Sequence, residues 1–449
     1  MKVAKFGGSS VANATQLKKV GEIIKNDSSR KFIVVSAPGK RDKNDFKVTD
    51  VLINLGDAFV HDKPYLDYME VIMQRFAEII EELAISKKIL YDIEETINSV
   101  LKWDESTEQK LDALKAIGED SSAKILSEYL NTIGLKASYL SPKDAGIIVS
   151  DEPGNAQILP ESYPKLFTLR DREEILVIPG FFGYTTTGKL MTFSRGGSDI
   201  TGSIVAAGVK ASLYENFTDV DSVYTVNPNI VTNPKEIKTL TYKEMRELSY
   251  AGFSVFHDEA LIPAFKESIP VSIKNTNNPE VPGTLIVANK EDKEKCVVGI
   301  ASDTGFSTLF VSKYLMNREL GFGRKLFEIL ERESVSFEHS PSGIDDLSVI
   351  IRDNQLNADK EEKILKQIKQ ELNPDTVRIH QNLAMIMIVG EGMMNTIGIA
   401  QKATTALTKA NVNIKMINQG SSDVSMMFGI QSEDIDKAIQ SLYDVFFEN

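Results

Sequence analysis

Cysteine is nearly absent from this chain of 449 residues: Cys296 stands alone, so no intrachain disulfide can form and a secreted, disulfide-stapled protein is disfavoured. Histidine is scarce. His61, His257, His339 and His380 lie far apart without the spacing of metal ligands, which disfavours a structural zinc. No run of about 18 apolar residues occurs, and the opening MKVAKFGGSS reaches glycines too early for a signal peptide, so no membrane span is expected and the cytoplasm is the expected compartment. Positive charge is in deficit. Lys plus Arg number 51 against 64 Asp plus Glu, a net charge of −13 that opposes sequence-independent binding to nucleic acid or to an anionic membrane. Cations for an anionic substrate must therefore be gathered locally. What is present, 42% hydrophobic and 26% charged residues, is ordinary for a globular enzyme, and the length suggests roughly three folding units at about 150 residues each.

From the N-terminus to about residue 290, apolar runs alternate with amphipathic stretches, the pattern of an α/β domain on a largely parallel sheet. Buried strands are expected at 3–6, 31–36, 136–140, 174–178, 211–217 and 271–273, with helices near 12–26, 49–59 and 198–207. A Glu- and Lys-rich segment over 64–130 reads as a helical excursion, interrupted near its end by Gly118-Glu119. The charged stretch 289–295 (NKEDKEK) marks a boundary. Beyond it the order strand (306–312), helix (321–332), strands (335–342, 346–352), helix (360–372), strand (376–380) spells βαββαβ, and a second copy over 383–449 lacks its last strand. The strand-like run 296–301 would fill that empty edge, making one module an insertion in the other. The expected domains are thus 1–290, then 304–382, then 383–449 together with 296–301.

Three strand ends carry motifs. Lys5-Phe6-Gly7-Gly8-Ser9-Ser10 joins a strand to a helix with two glycines that let backbone amides approach an anion, beside an ammonium. It is neither GxxxxGK[ST] nor GxGxxG. Ser194-Arg195-Gly196-Gly197-Ser198-Asp199 repeats the design with a guanidinium suited to a carboxylate, Ser198 or Asp199 being available as N-cap. Asp219 or Asp221 in Thr218-Asp219-Val220-Asp221-Ser222-Val223-Tyr224 could assist a metal or ribose, and Tyr224 could stack on a base, since ligands of open α/β sheets collect at this edge. Singly, each has a plainer explanation: a tight turn capped by Ser9, an N-capping Asp199, an acidic turn, a solvated Glu119, a packed His257.

Together, KFGGSS (5–10), VVSAP (34–38), KVTD (47–50), GE (118–119), GFFGYTTTG (180–188), SRGGSD (194–199) and TDVDSVYT (218–225) closely resemble the motif series of aspartate kinases of the amino-acid kinase superfamily. The tail resembles that family's paired ACT modules, and the whole chain is most similar to the monofunctional, lysine-regulated kind. The resemblance implies a three-layer α/β/α sandwich with a mostly parallel sheet, followed by two ferredoxin-like βαββαβ modules. It implies transfer of the ATP γ-phosphoryl group to the side-chain carboxylate of L-aspartate with Mg²⁺, opening the route to lysine, threonine and methionine. By the same likeness Lys5, Gly7, Gly8 and Asp199 are catalytic. Thr49, Glu119, Phe182, Arg195 and Ser198 hold aspartate, Arg195 taking the α-carboxylate and Glu119 the ammonium. Ser36, Thr218, Asp219 and Tyr224 lie along the nucleotide.

For the tail, the likeness points to Met316, Gly321, Phe322, Gly323, Phe337, Glu338 and Ser342 as the effector site, with Glu338 on the ammonium of lysine, and to a homodimer or a dimer of dimers. Two departures stand out. Asn229 and Ser254 occupy positions where many relatives have Arg and Lys facing the nucleotide, and Lys274 is a candidate substitute. The rival readings are a kinase for glutamate, N-acetylglutamate or a nucleoside monophosphate, and a non-catalytic amino-acid sensor that keeps the tail. Lys5, Arg195 and Asp199 together argue against the last.

Overall fold

The strand Lys2–Phe6 (KVAKF) is buried along nearly all its length, as an interior parallel strand must be. It pairs in parallel with Arg30–Val35 on one side and Leu213–Thr218 on the other. The computed structural model describes every residue except 195, 254–258, 291–295, 421–423 and 449. These fall into two units: Met1–Val223, Glu236–Arg246 and Ser254–Glu291 form one, and Tyr224–Lys235, Glu247–Phe253 and Asp292–Asn449 the other.

The first unit is built on an eight-stranded sheet in the order Thr239–Thr241, Thr284–Val287, Val271–Asn275, Leu213–Thr218, Lys2–Phe6, Arg30–Val35, Ile175–Pro179, Ala137–Tyr139. Thr284–Val287 runs antiparallel to Val271–Asn275. Side chains alternate across the central strands. Ala4, Phe6, Ile33 and Val35 join the helices Ala14–Lys25, Val48–Val60, Leu66–Glu82, Lys88–Leu101 and Thr107–Thr132 in one apolar core. Gly197–Gly208 packs on the same strands, completing the third layer.

Three local expectations are corrected. Gly118-Glu119 does not interrupt its segment but lies inside the 26-residue helix Thr107–Thr132. A Cβ on Gly118 would sit 2.6 Å from that of Ala37, so this glycine is required by close helix-to-loop packing rather than by a break. The glycine corner after the first strand opens a single 3₁₀ turn, Gly8–Val11, and the α-helix behind it is capped by Asn13 Oδ1 on Gln16 N–H at 2.9 Å, not by Ser9. Neither Ser198 nor Asp199 is an N-cap: Gly196, at φ 76°, begins that helix.

In the second unit a five-stranded sheet has the order Asp346–Arg352, Gly299–Ser312, Thr376–Val389, Ser425–Gln431, Met416–Asn418. The runs expected as separate strands at 296–301 and 306–312 are halves of Gly299–Ser312, and those at 376–380 and 383–389 are halves of Thr376–Val389. The two long strands pair antiparallel, with an irregularity between Asp303 and Thr308. On one side of it Leu309 and Val311 join Phe322–Arg332 and Ala358–Leu372 in one core; on the other Ile300, Ile386 and Ile388 join Ile399–Lys409 and Ile435–Tyr443 in another. The strand expected over 335–342 is reduced to bridges at His339 and Ser342, next to the edge strand Asp346–Arg352.

Candidate active site

Four parallel strands of the first unit end at one edge, and each hands over to a motif: Phe6 to Gly7-Gly8, Val35 to Ser36–Gly39, Pro179 to Gly180, and Thr218 to Asp219. Two of these corners touch backbone to backbone. Gly39 N–H donates to the Gly8 carbonyl at 2.9 Å, and a Cβ on Gly39 would lie 2.7 Å from the Gly8 carbonyl carbon, so no side chain fits there. Beside this crossing opens a cavity of about 460 Å³ lined by Gly8, Ser36, Thr49, Glu119 and Asp219 among others.

Lys5, 6% exposed, points from the first strand to Asp199 in the first turn of Gly197–Gly208, with Nζ to Oδ1 at 2.6 Å. Asn216 on the neighbouring strand donates to the same Oδ1 at 2.6 Å, so the carboxylate that fixes the ammonium is itself fixed. The Lys5 ammonium would also lie about 3.5 Å from a Cβ placed on Gly7, which locates it at the glycine corner. Gly7 N–H is taken by the Phe217 carbonyl at 3.0 Å, so of the two glycine amides expected to face an anion, Gly7's is already engaged. An ammonium set between a carboxylate and a glycine corner can neutralise negative charge that develops on a transferring group.

Glu119 is the most perturbed acid of the site. It is 5% exposed, and Oε2 has no hydrogen-bond partner among the described residues. Burial pushes its pKa up to about 8, against the opposing pull of the Ala37 backbone, the Lys5 charge and the Ser198 hydroxyl. A buried carboxyl with an unused oxygen on a cavity wall is a receptor for a cationic group.

Of the other expected residues, Ser198 is buried against Gly180, near enough that a Cβ there would collide with it. Phe182 is buried with its ring edge-on to Tyr184 and does not line the cavity. Thr218 bonds Asp219, Tyr224 falls in the second unit, and Lys274, on Val271–Asn275, is not among the residues lining the cavity. Arg195, Ser254 and His257 are outside the described residues. Lys40 and Lys47, which sequence reasoning did not single out as ligands, line the cavity, and Asn216 was missed as the second partner of Asp199.

Among the described residues, the seven expected effector positions lie in different settings. Met316 and Phe322 belong to a hydrophobic core, and Gly321 starts the helix Phe322–Arg332 that contains Gly323. Phe337, 45% exposed, stacks on Phe327 at 4.6 Å. Both oxygens of Glu338 are engaged, one by Arg352 Nε at 3.0 Å and the other by the Tyr250 hydroxyl. Arg352 also reaches Asp303 at 2.8 Å. Ser342 lines a separate cavity of about 710 Å³ over the sheet with Thr308, Phe310, Asp346, His380 and Gln431.

Residues 1–275 match the model of the amino acid kinase family, and residues 386–446 match that of an ACT domain. Aspartokinase 3 of Bacillus subtilis is 53% identical over 448 residues, covering 100% of this chain and 99% of that one. The crystal structure of Clostridium acetobutylicum aspartate kinase shares 43% identity with a TM-score of 0.88, covering 99% of this chain and 100% of that one. Escherichia coli aspartokinase III, in a structure described as a complex with aspartate and ADP, shares the fold at 23% identity and a TM-score of 0.82, covering 100% of both chains. A second structure of it is described as a complex with lysine and aspartate, with a TM-score of 0.78 at 22% identity, covering 100% of this chain and 99% of that one. A glycine-cornered cavity at the strand ends, a paired lysine and these matches agree: the chain belongs to the amino acid kinase family, among its aspartokinases.

Proposed function

We propose that in this aspartokinase the γ-phosphoryl group of ATP passes to the side-chain carboxylate of L-aspartate in the cavity beside the Lys5–Asp199 pair. The acceptor is already ionised at neutral pH, so no strong base is needed and catalysis rests on in-line placement and charge neutralisation. Lys5, oriented by Asp199 and Asn216, stabilises the transferring group, with Gly8 beside it. Glu119 receives the α-ammonium of aspartate. Its raised pKa means that binding below about pH 8 drives a proton off Glu119. Thr49, Phe182, Ser198 and Arg195 complete the substrate side, Arg195 on the α-carboxylate; Ser36, Thr218, Asp219 and Tyr224 serve the nucleotide.

Among the described residues no cluster of three or more His, Cys, Asp or Glu comes together. Asp219, on the cavity wall, would be the protein's carboxylate toward Mg²⁺ carried on nucleotide phosphates, where the ion would supply charge neutralisation. The tail would act as two ACT modules, 304–382 and 383–449 with 296–301, on a catalytic domain over 1–290. Lysine, the ligand named for one E. coli complex, is the proposed inhibitor, alone or with threonine, and Gly321, Phe337 and Ser342 are its proposed contacts. An inhibitor acts only through its preference for the less active state. The proposed assembly is a homodimer or a dimer of dimers in the cytoplasm; no helix among the described residues is long and apolar enough to cross a membrane.

The observation that carries the reading is an ammonium held at 2.6 Å by a doubly anchored carboxylate, next to a buried acid with an unused oxygen. A coupled assay for ADP release with L-aspartate, L-glutamate or no acceptor tests it, repeated with lysine, threonine and methionine singly and combined. ADP release that does not depend on aspartate rejects it.

A further inference from the structure

The loop between Pro38 and Val48 (PGKRDKNDFKV) is highly charged, yet it is tied down at several points. Its ends meet through Val48 N–H donating to the Pro38 carbonyl at 3.0 Å. Asp45 accepts from the Arg41 backbone at 2.8 Å and from Arg41 Nε at 3.0 Å. From the helix Leu66–Glu82 comes Arg75, 2% exposed, which donates to both Asp45 oxygens at 2.7 Å and to the Gly39 carbonyl at 3.1 Å, with its guanidinium 4.7 Å over the Phe46 ring. Burying this guanidinium is costly, and its Nε has no hydrogen-bond partner among the described residues. An apolar side chain would satisfy the helix packing at lower cost, so what Arg75 adds is fixed geometry at residues 39, 45 and 46.

That geometry sets two lysines. Lys40 and Lys47, both exposed, line the cavity with Gly8, Ser9 and Asp219, and neither is in an ion pair among the described residues. Lys5, by contrast, is held in an ion pair with Asp199 and is proposed above to serve the transferring group. A nucleotide polyphosphate entering here needs cations. Ammonium groups on flexible stems suit phosphate oxygens as point charges.

We infer that Lys40 and Lys47 bind the phosphates of the nucleotide and that Arg75, through Asp45 and the Gly39 carbonyl, is the positioning residue that presents them; this rests on the kinase reading above. The test is titration of the full chain with ADP in the absence of aspartate, which does not depend on turnover. Lys40→Ala with Lys47→Ala is expected to weaken ADP by about tenfold or more while KM for aspartate stays within twofold. Arg75→Met, verified as folded by circular dichroism, is expected to weaken ADP similarly, and to add nothing in the lysine double variant. Should Arg75→Met fail to fold, Asp45→Asn takes its place with the same expectation. Unchanged ADP affinity in the lysine variant overturns the inference, as does a shift confined to KM for aspartate. An Arg75→Met loss that adds in full to that of the lysines overturns the positioning role. A parent chain that binds ADP but shows no aspartate-dependent turnover would instead defeat the kinase reading.

Discussion

Two glutamates, one in each unit, differ in what surrounds them. Glu119 is buried at the kinase cavity with an oxygen that no described residue satisfies. Glu338, expected to meet an effector, has both oxygens engaged by Arg352 and Tyr250. The first is held ready for a ligand, because leaving a buried acceptor unmade is unfavourable until a donor arrives. The second is part of the scaffold, and a ligand could take it only by displacing a partner. The same contrast separates Lys47, exposed at its cavity, from Lys313, which bonds Glu319 at 2.6 Å and the Leu372 carbonyl at 2.7 Å.

The contrast can be broken most forcefully at Lys5. Lys5→Ala is expected to lower kcat by about 10³-fold in the coupled assay, the scale of losing a transition-state donor, and a loss under tenfold would place the neutralising charge elsewhere. Next, Glu119→Gln should raise KM for aspartate about tenfold to a hundredfold, as expected when a charge-assisted contact is removed. The pH dependence sharpens the same point. Folded Glu119 titrates near 8 instead of 4.5, so between those values the folded chain holds a proton that the unfolded chain has lost. Stability contributed by this group is therefore present below about pH 4.5, falls as pH rises, and is gone above about pH 8. Urea midpoints at pH 5.5 and 8.5 should differ less in Glu119→Gln than in the parent; equal differences would mean that Glu119 is not buried neutral. The smallest effect is expected at Glu338. Glu338→Ala should lower the thermal midpoint by a few degrees, about 1 kcal/mol of lost hydrogen bonding, while the lysine concentration for half-inhibition moves less than threefold. A larger shift would restore Glu338 as an effector ligand.

Much of the kinase sheet was legible because fully buried parallel strands leave continuous apolar runs such as Phe32 to Val35. Its short antiparallel strand Thr284–Val287 was not, since four residues carry little periodicity. Glycine misled at position 118: a helix-weakening residue is visible in the sequence, but the methyl group of Ala37 it must clear is not. Lys5 and Asp199 were found as separate motifs, whereas their 2.6 Å pairing and the shared Asn216 needed the fold. Lys40 and Lys47 were hidden in a segment whose composition reads as solvated. A signal existed one helix away, where Arg75 interrupts the buried stripe of Ile72, Phe76 and Ile79. In the tail, Met316 and Phe322 have the side chains of a binding surface and of a core alike, and only packing tells them apart.

The two fourteen-residue strands of the second sheet, Gly299–Ser312 and Thr376–Val389, each serve one module with their first half and the other with their second. Neither half can therefore be cut away alone, because a chain ending between residues 312 and 376 would lose the second long strand from both.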